Sequence, residues 1–366
     1  MNINQVKNLN LNFILTTARS GSTLLSLMLH SHPNTNIVLE EPFAYNLYPK
    51  YKKITKWTSN NIQDYCNDFY LFSEGKLHDR FVTKKEFESL LENHKENLTI
   101  DIAIKLTYLC FFPDKDKSAI TTIIDKQLLF HSCLEDVASF YPQSKFIILY
   151  RDPRDNAFTK WGMYEKKKEF EMMDYYRLAY DWEDTFSKLY DLKTKIGSER
   201  FLEVKYEDLV TNPEMELKRI CTFLDLTYTP EMLEYDAKVK EAYNLLQEKH
   251  KETIVPLQKG IMQKPQTNKI GYWKQNLTAY QANLIWTICG NTAEKIGYKR
   301  DEDFIKQNRL ILKNFSSNIK IWINKIKVNM YYSALFFIKL AIKKTLYGKN
   351  PKRIKSKPKQ QMFGNN

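Results

Sequence analysis

The chain of 366 residues suffices for one large or two modest domains, and its 43% hydrophobic and 14% aromatic residues, with only 10 glycines, exclude disorder over most of its length. The formal charge of +13 belongs to one end: from Phe304 onward there are 15 Lys and Arg and no Asp or Glu, so residues 1–303 carry a net −2. A body so close to neutral has no electrostatic footprint for nucleic acid, which is not expected as a partner.

The opening MNINQVKNLNLNF has no basic stretch leading into a long apolar core. It is expected to enter the first strand directly, with neither a secretory signal nor an N-terminal anchor. Residues 12–17 read as a short buried strand. Residues 22–31 read as a helix with Leu24, Leu25, Met28 and Leu29 on one face. A second strand is expected over 36–39, and residues 44–97 are polar, aromatic and helical in character. The alternation of TIDIAIKL (99–106) predicts a strand, and residues 122–140 predict a helix ending at Tyr-Pro. KFIILY (145–150) is a strong buried strand, with helices expected after Pro153 and over about 174–196. A short strand at 201–205 and a helix from Pro213 follow. Strands alternating with helices imply an α/β fold, a parallel sheet flanked by helices on both faces.

No apolar run approaches 18 residues, so a spanning helix is not expected. The five cysteines lie far apart and form no CxxC pair. Free, mostly buried thiols in a reducing compartment are the expectation. The six histidines show no ligand spacing, and no metal is expected.

Two segments carry chemistry. The first is FILTTARSGSTLL (13–25), where a strand turns into a helix through small residues. First-turn amides without intrahelical acceptors, together with the helix dipole, make such a junction an anion cradle. Gly21 permits close backbone approach, Ser22 and Thr23 add hydroxyls, and Arg19 adds a fixed fork of donors. The alternative is an ordinary turn capped by Ser20 or Ser22. A nucleotide kinase loop would carry Lys after the last glycine; here the cation precedes Gly21. The second segment, KFIILYRDPRDNAFTKW (145–161), again runs strand, turn, helix. Arg151 falls at the strand's carboxyl end, where open α/β sheets bind ligands. Asp152 or Asp155 can cap the helix near Pro153. Thr159 then faces back over the sheet edge, and Arg151 with Thr159 would hold a second phosphate. The alternative is an Arg–Asp network that only closes the helix start.

Together the segments resemble the sulfotransferases that use 3′-phosphoadenylyl sulfate (PAPS). Further matches follow in order: FLEVKYEDLVTNPEMELKRICTFLDL (201–226), NKIGYWKQNLT (268–278) and IGY (296–298). The resemblance covers residues 12–300 and implies a P-loop-like sulfotransferase domain over about 11–300, with 44–97 as a helical acceptor-side insertion. It implies that Arg19, Ser20, Gly21, Ser22 and Thr23, with Leu24 beside them, hold the 5′-phosphosulfate. Arg151 and Thr159 would hold the 3′-phosphate, Tyr206 would lie near the adenine, and Lys269 would belong to a loop closing over the nucleotide. The usual Arg-Lys-Gly form of that loop is absent here. The product would be 3′-phosphoadenosine 5′-phosphate (PAP), with no metal involved.

Sulfuryl transfer needs a base for the acceptor proton and cations for the bridging oxygen. Cytosolic members of the family place a His base two residues after a Lys. Lys105 matches that Lys, but Thr107 stands at the His position. The resemblance to carbohydrate, tyrosyl-protein and bacterial members moves the base to Glu41 or Glu40, with Glu41 favoured by its place beside Pro42. Alternatively both glutamates cap the next helix. Arg19 and Lys105 would stabilise developing charge. The acidic base suggests a carbohydrate hydroxyl as acceptor, with protein tyrosine or lipid as alternatives. A nucleotide kinase and a non-catalytic nucleotide-binding module stand behind these.

In residues 304–348 apolar residues alternate with lysines, as in a basic amphipathic helix, and residues 349–366 are expected to be disordered. Such a tail suits an anionic membrane surface or packing on the domain. The expected location is cytoplasmic, with a peripheral position on the inner face of a membrane as its extension.

Overall fold

The protein is described by a computed structural model over residues 2–39, 43–73, 81–128, 133–165, 175–236 and 264–305, with the isolated positions 326, 338 and 341. A short helix α1 (Ile3–Lys7) precedes β1 (Asn10–Leu15), so the chain does not enter its first strand directly. The five strands β1, β2 (Thr35–Leu39), β3 (Thr122–Gln127), β4 (Phe146–Tyr150) and β5 (Phe201–Lys205) form one parallel sheet in the order β2-β3-β1-β4-β5.

Strand period and burial divide the core. Phe13, Ile123, Phe146 and Ile148 pack on one face of the sheet, and Ile14, Ile124, Ile147 and Leu149 on the other. The second face is covered by α2 (Ser22–His30), α10 (Tyr206–Thr211) and α11 (Pro213–Phe223). The first is covered by α7 (Leu134–Phe140), α8 (Pro153–Glu165), α9 (Tyr175–Ile196) and, after the short α12 (Trp273–Asn276), α13 (Ala279–Lys295). A strand buried on both faces reads as a continuous apolar run, which is why FIILY stood out in the sequence.

Between β2 and β3 the chain builds α3 (Phe43–Tyr51), α4 (Ser59–Ser73), α5 (Lys84–Asn93) and α6 (Ile100–Leu109). Aromatic contacts join them, with ring centroids 5.2 Å apart for Phe43–Phe69 and 4.9 Å for Phe69–Phe81 and Phe81–Phe111.

Two expectations are corrected here. The strand expected over 99–106 is the helix α6, capped by Thr99, whose hydroxyl accepts from the Ile102 amide. That helix is buried over most of its circumference, so its apolar residues imitated a two-residue period. The helix expected over 122–140 begins as β3 and becomes helical only at α7. The charges of Asp125 and Lys126 hid a buried central strand. The five cysteines are free and buried, as expected. No helix among the described residues is long and apolar enough to cross a membrane. The helix expected over 304–348 and the disordered tail expected over 349–366 fall outside the described residues, apart from 304, 305 and the three isolated positions.

Candidate functional site

The chain leaves β1 toward β2 on one side, and β4 follows on the other. A crevice therefore opens between the carboxyl ends of β1 and β4. Both segments singled out in the sequence lie there. The Thr16 amide donates to the Gln127 carbonyl at 3.3 Å, and its hydroxyl donates to the Leu149 carbonyl at 2.8 Å, pinning the loop to β3 and β4. Arg19 (φ 66°) and Gly21 (φ 89°) both adopt left-handed backbone. For Arg19 this costs about 1–2 kcal/mol, which the surrounding structure must offset. At Gly21 a Cβ would lie 2.3 Å from Cδ2 of Tyr206, so only glycine fits between loop and ring. The first intrahelical bond of α2 runs from the Leu25 amide to the Gly21 carbonyl. The amides of Ser22, Thr23 and Leu24 thus have no acceptor within the helix. The Leu24 side chain itself packs into the core.

α8 holds this loop from the side. The Asn156 amide donates to the Ala18 carbonyl at 2.9 Å and to the Ser20 hydroxyl at 3.1 Å. Arg151, 5% exposed, donates from Nη1 to the Arg19 carbonyl at 3.0 Å and from Nη2 to the Lys269 carbonyl at 3.2 Å. Its guanidinium lies over the Tyr206 ring, 4.5 Å from the centroid. The Nε atoms of both Arg19 and Arg151 are buried without a partner. Burial, and then the neighbouring Arg151, push Arg19 below the usual arginine range. Two guanidinium groups brought together, with buried donors unspent, leave a defect that an anion would repair.

The neighbouring acids are committed elsewhere. Asp152 binds Arg154, from Nε at 3.0 Å and Nη2 at 2.7 Å. Arg154 is in turn sandwiched by Trp273 and Trp286, 4.0 and 4.5 Å from the ring centroids. Glu207 accepts from the Asp152 amide at 2.9 Å and the Tyr298 hydroxyl at 2.8 Å, and burial pushes its carboxyl up. The Arg–Asp network weighed as an alternative therefore exists, but its members are Asp152 and Arg154. Arg151 makes no ion pair among the described residues.

The remaining expected residues separate. Thr159 is half-buried on α8, and its hydroxyl donates to the Asp155 carbonyl at 2.7 Å. Lys269 meets Arg151 through its carbonyl, while its ammonium sits 4.4 Å from the Tyr272 ring centroid. Lys105 lies on α6, with Nζ 3.0 Å from the Lys7 carbonyl and 2.9 Å from Asp101 Oδ2, engaged with α1 and its own helix. Thr107, read as standing at a base position, donates to Ala103 within α6 and is 2.9 Å from the Tyr65 hydroxyl. Glu40 and Glu41 lie outside the described residues; their chain neighbours Leu39 and Phe43 end β2 and begin α3.

The sequence reading gave Lys126 and Asn156 no part in the site, and Asp155 only the part of a possible helix cap. Lys126 is 2% exposed at the carboxyl end of β3, paired with Ile14 of β1 and Leu39 of β2. The available signal was the run TIIDKQ, β-branched and then charged. No metal-holding group of His, Cys, Asp or Glu occurs among the described residues.

The sequence matches the family model described as the sulfotransferase family over residues 13–230. Protein-tyrosine sulfotransferase A of Caenorhabditis elegans is 22% identical over 237 residues, 64% of this chain and 54% of its own length. The chain spans about half the length of the curated relatives it matches, from 40% to 59%. Among solved structures, the sulfotransferase domain of the Synechococcus PCC 7002 olefin synthase is 22% identical, covering 80% of this chain and 97% of that one with a TM-score of 0.48. A mouse sulfotransferase complexed with PAP is 14% identical, covering 80% and 86%, with a TM-score of 0.41.

Proposed function

This chain belongs to the sulfotransferase family, and from that premise we propose that it transfers the sulfuryl group of PAPS to an acceptor hydroxyl. The observation that carries the reading is the pair of guanidiniums at the mouths of β1 and β4. They are tied by Arg151 Nη1 to the Arg19 carbonyl at 3.0 Å, and each keeps a buried Nε without a partner. A ligand with anionic groups at two points suits that pair better than one with a single anionic end. The amides of Ser22, Thr23 and Leu24 and the Ser22 and Thr23 hydroxyls would receive the 5′-phosphosulfate. Arg151 and Thr159 would receive the 3′-phosphate, and Tyr206 with Lys269 would bound the nucleotide end. A kinase reading lacks its lysine after Gly21.

In the transfer, the acceptor oxygen forms a bond to sulfur as the bond from sulfur to the bridging phosphate oxygen breaks. Glu41 or Glu40 takes the hydroxyl proton, and PAP leaves with the bond's electron pair. Arg19 stabilises charge on the leaving oxygen. The cation first assigned to Lys105 is better supplied by Lys126. Strand alternation puts Lys126 on the α2 face, where its partner Ile14 packs, at the same end as the donor loop.

For the acceptor, the carbohydrate expectation gives way to its alternative. The relatives are named protein-tyrosine sulfotransferases, which supports a tyrosyl hydroxyl. A phenol, with a pKa near 10, also yields its proton to a carboxylate more readily than a sugar hydroxyl does. Free buried cysteines support a reducing compartment.

The test is transfer from labelled PAPS to a panel of tyrosine peptides, glycans and lipids, alongside thermal melting with PAP and with ATP. Label on tyrosine peptides and a larger shift with PAP are expected. Equal or absent shifts would remove the nucleotide assignment, and label confined to glycans would restore the carbohydrate acceptor.

A further inference from the structure

Asp155 stands four positions after Arg151, is 1% exposed, and makes no ion pair with that arginine among the described residues. Its carboxylate is spent on backbone from a distant part of the chain. Oδ2 accepts the Gly271 amide and Oδ1 the Trp273 amide, both at 2.8 Å. Gly271 has left-handed backbone (φ +65°), and Trp273 opens the short helix α12 (Trp273–Asn276). The turn is held to α8 at two further points. Trp273 stacks on Arg154, and Tyr272 meets Phe158 edge-on with centroids 5.6 Å apart. Its leading residue, Lys269, gives its carbonyl to Arg151 Nη2.

We propose that Asp155 is a positioning residue for recognition of the nucleotide's 3′-phosphate: it seats the turn 269–273 against Arg151 while leaving the Arg151 Nε unpaired. The inference rests on the reading of this crevice as a PAPS site. Its physical logic is a division of acceptors. A buried carboxylate this near a buried arginine ordinarily pairs with it and cancels its charge. Here each carboxylate oxygen is engaged by a backbone amide, and the Arg154 side chain engages Asp152. Arg151 stays free of a direct carboxylate contact among the described residues, and its orientation is fixed by the carbonyls of Arg19 on one side and Lys269 on the other. Burial pushes the Asp155 carboxyl up, and the two amide bonds and Arg151 pull against that rise. Without the carboxylate, the turn loses both amide anchors and the Lys269 carbonyl loses its fixed place beside Arg151.

The experiment measures dissociation constants of PAP and of adenosine 5′-monophosphate, which lacks the 3′-phosphate, for the full chain, D155A and D155N. In D155A the affinity for PAP is expected to fall about tenfold or more while that for the monophosphate changes by less than about threefold, the size expected for losing charge-assisted bonds at one subsite. D155N keeps one acceptor oxygen and is expected to fall between. A general packing lesion would weaken both nucleotides alike. An unchanged ratio of the two affinities in D155A therefore overturns the role of Asp155 and leaves the sulfotransferase reading standing. If D155A fails to give a cooperative melt, the same ratio in D155N decides. Wild-type protein that does not prefer PAP to the monophosphate overturns both readings together.

Discussion

Lys126 and Lys105 stand at different places in the fold, and the cation role proposed for Lys126 follows from its place. The Lys105 ammonium is engaged by the Lys7 carbonyl and Asp101, which ties α6 to the N-terminal helix. Lys126 stands in the strand between β1 and β2, at the end where the donor loop begins. Substituting Lys126 by Met is expected to lower kcat about 10²-fold, the usual scale for removing one charge-stabilising donor, with PAP affinity nearly unchanged. Substituting Lys105 by Met is expected to leave kcat within about twofold and lower the melting temperature, since it removes a hydrogen bond and an ion pair worth about 1 kcal/mol together. Steady-state kinetics and melting of the two variants check this; equal losses of kcat would return Lys105 to the site. Arg19 and Arg151 were legible in the sequence because each follows an unmistakable buried strand. The partners of Asp155 and Asn156 were not, because Gly271, Trp273 and Ala18 lie more than a hundred residues away in the chain.

The loop from β1 into α2 and the start of α10 behave as one element, because Gly21 and Tyr206 share a space with no room for a methyl group. Gly21→Ala meets two separate costs. The left-handed backbone penalises any Cβ by about 1–2 kcal/mol, and the ring of Tyr206 must also move. That ring carries the Arg151 guanidinium at 4.5 Å, so the second anion subsite is disturbed as well. Gly21→Ala is expected to lower the melting temperature and abolish the stabilisation by PAP. Tyr206→Ala alone should also lower the melting temperature, because it empties a buried ring's place in the core, but the two losses should be less than additive in the double variant, where the clash is gone. Strictly additive losses would mean that the ring does not close the loop. At this scale most of the sheet was readable: four strands announced themselves by apolar runs between turn signals. β3 did not, since Asp125, Lys126 and Gln127 end it with groups that strands buried on both faces seldom carry. The Tyr108 hydroxyl, 2.6 Å from Asp125, and the Gln127 amide, 2.9 Å away, satisfy that carboxylate, and neither partnership is visible in a local window.

Charge is divided over the whole molecule as it is over the sequence: a body of net −2 and a terminal stretch of 15 cations without one acid. A near-neutral body gains little from an anionic surface, so attraction to one must come from residues beyond Phe304. Basic residues close to an anionic bilayer contribute about 1 kcal/mol each. That attraction decays over a Debye length of about 10 Å at 0.1 M salt and about 3 Å at 1 M. The full chain is therefore expected to co-sediment with phosphatidylserine-containing vesicles at 0.1 M salt, to be released at 1 M, and to ignore pure phosphatidylcholine vesicles. Replacing Lys352, Arg353, Lys355, Lys357 and Lys359 by Gln should cut that binding by about tenfold or more, while PAP stabilises the variant as it does the parent. Binding that survives both the substitutions and high salt would assign membrane contact to apolar residues of the 306–348 stretch. Absence of binding to anionic vesicles would leave the cations with no surface role, and packing on the domain would replace it.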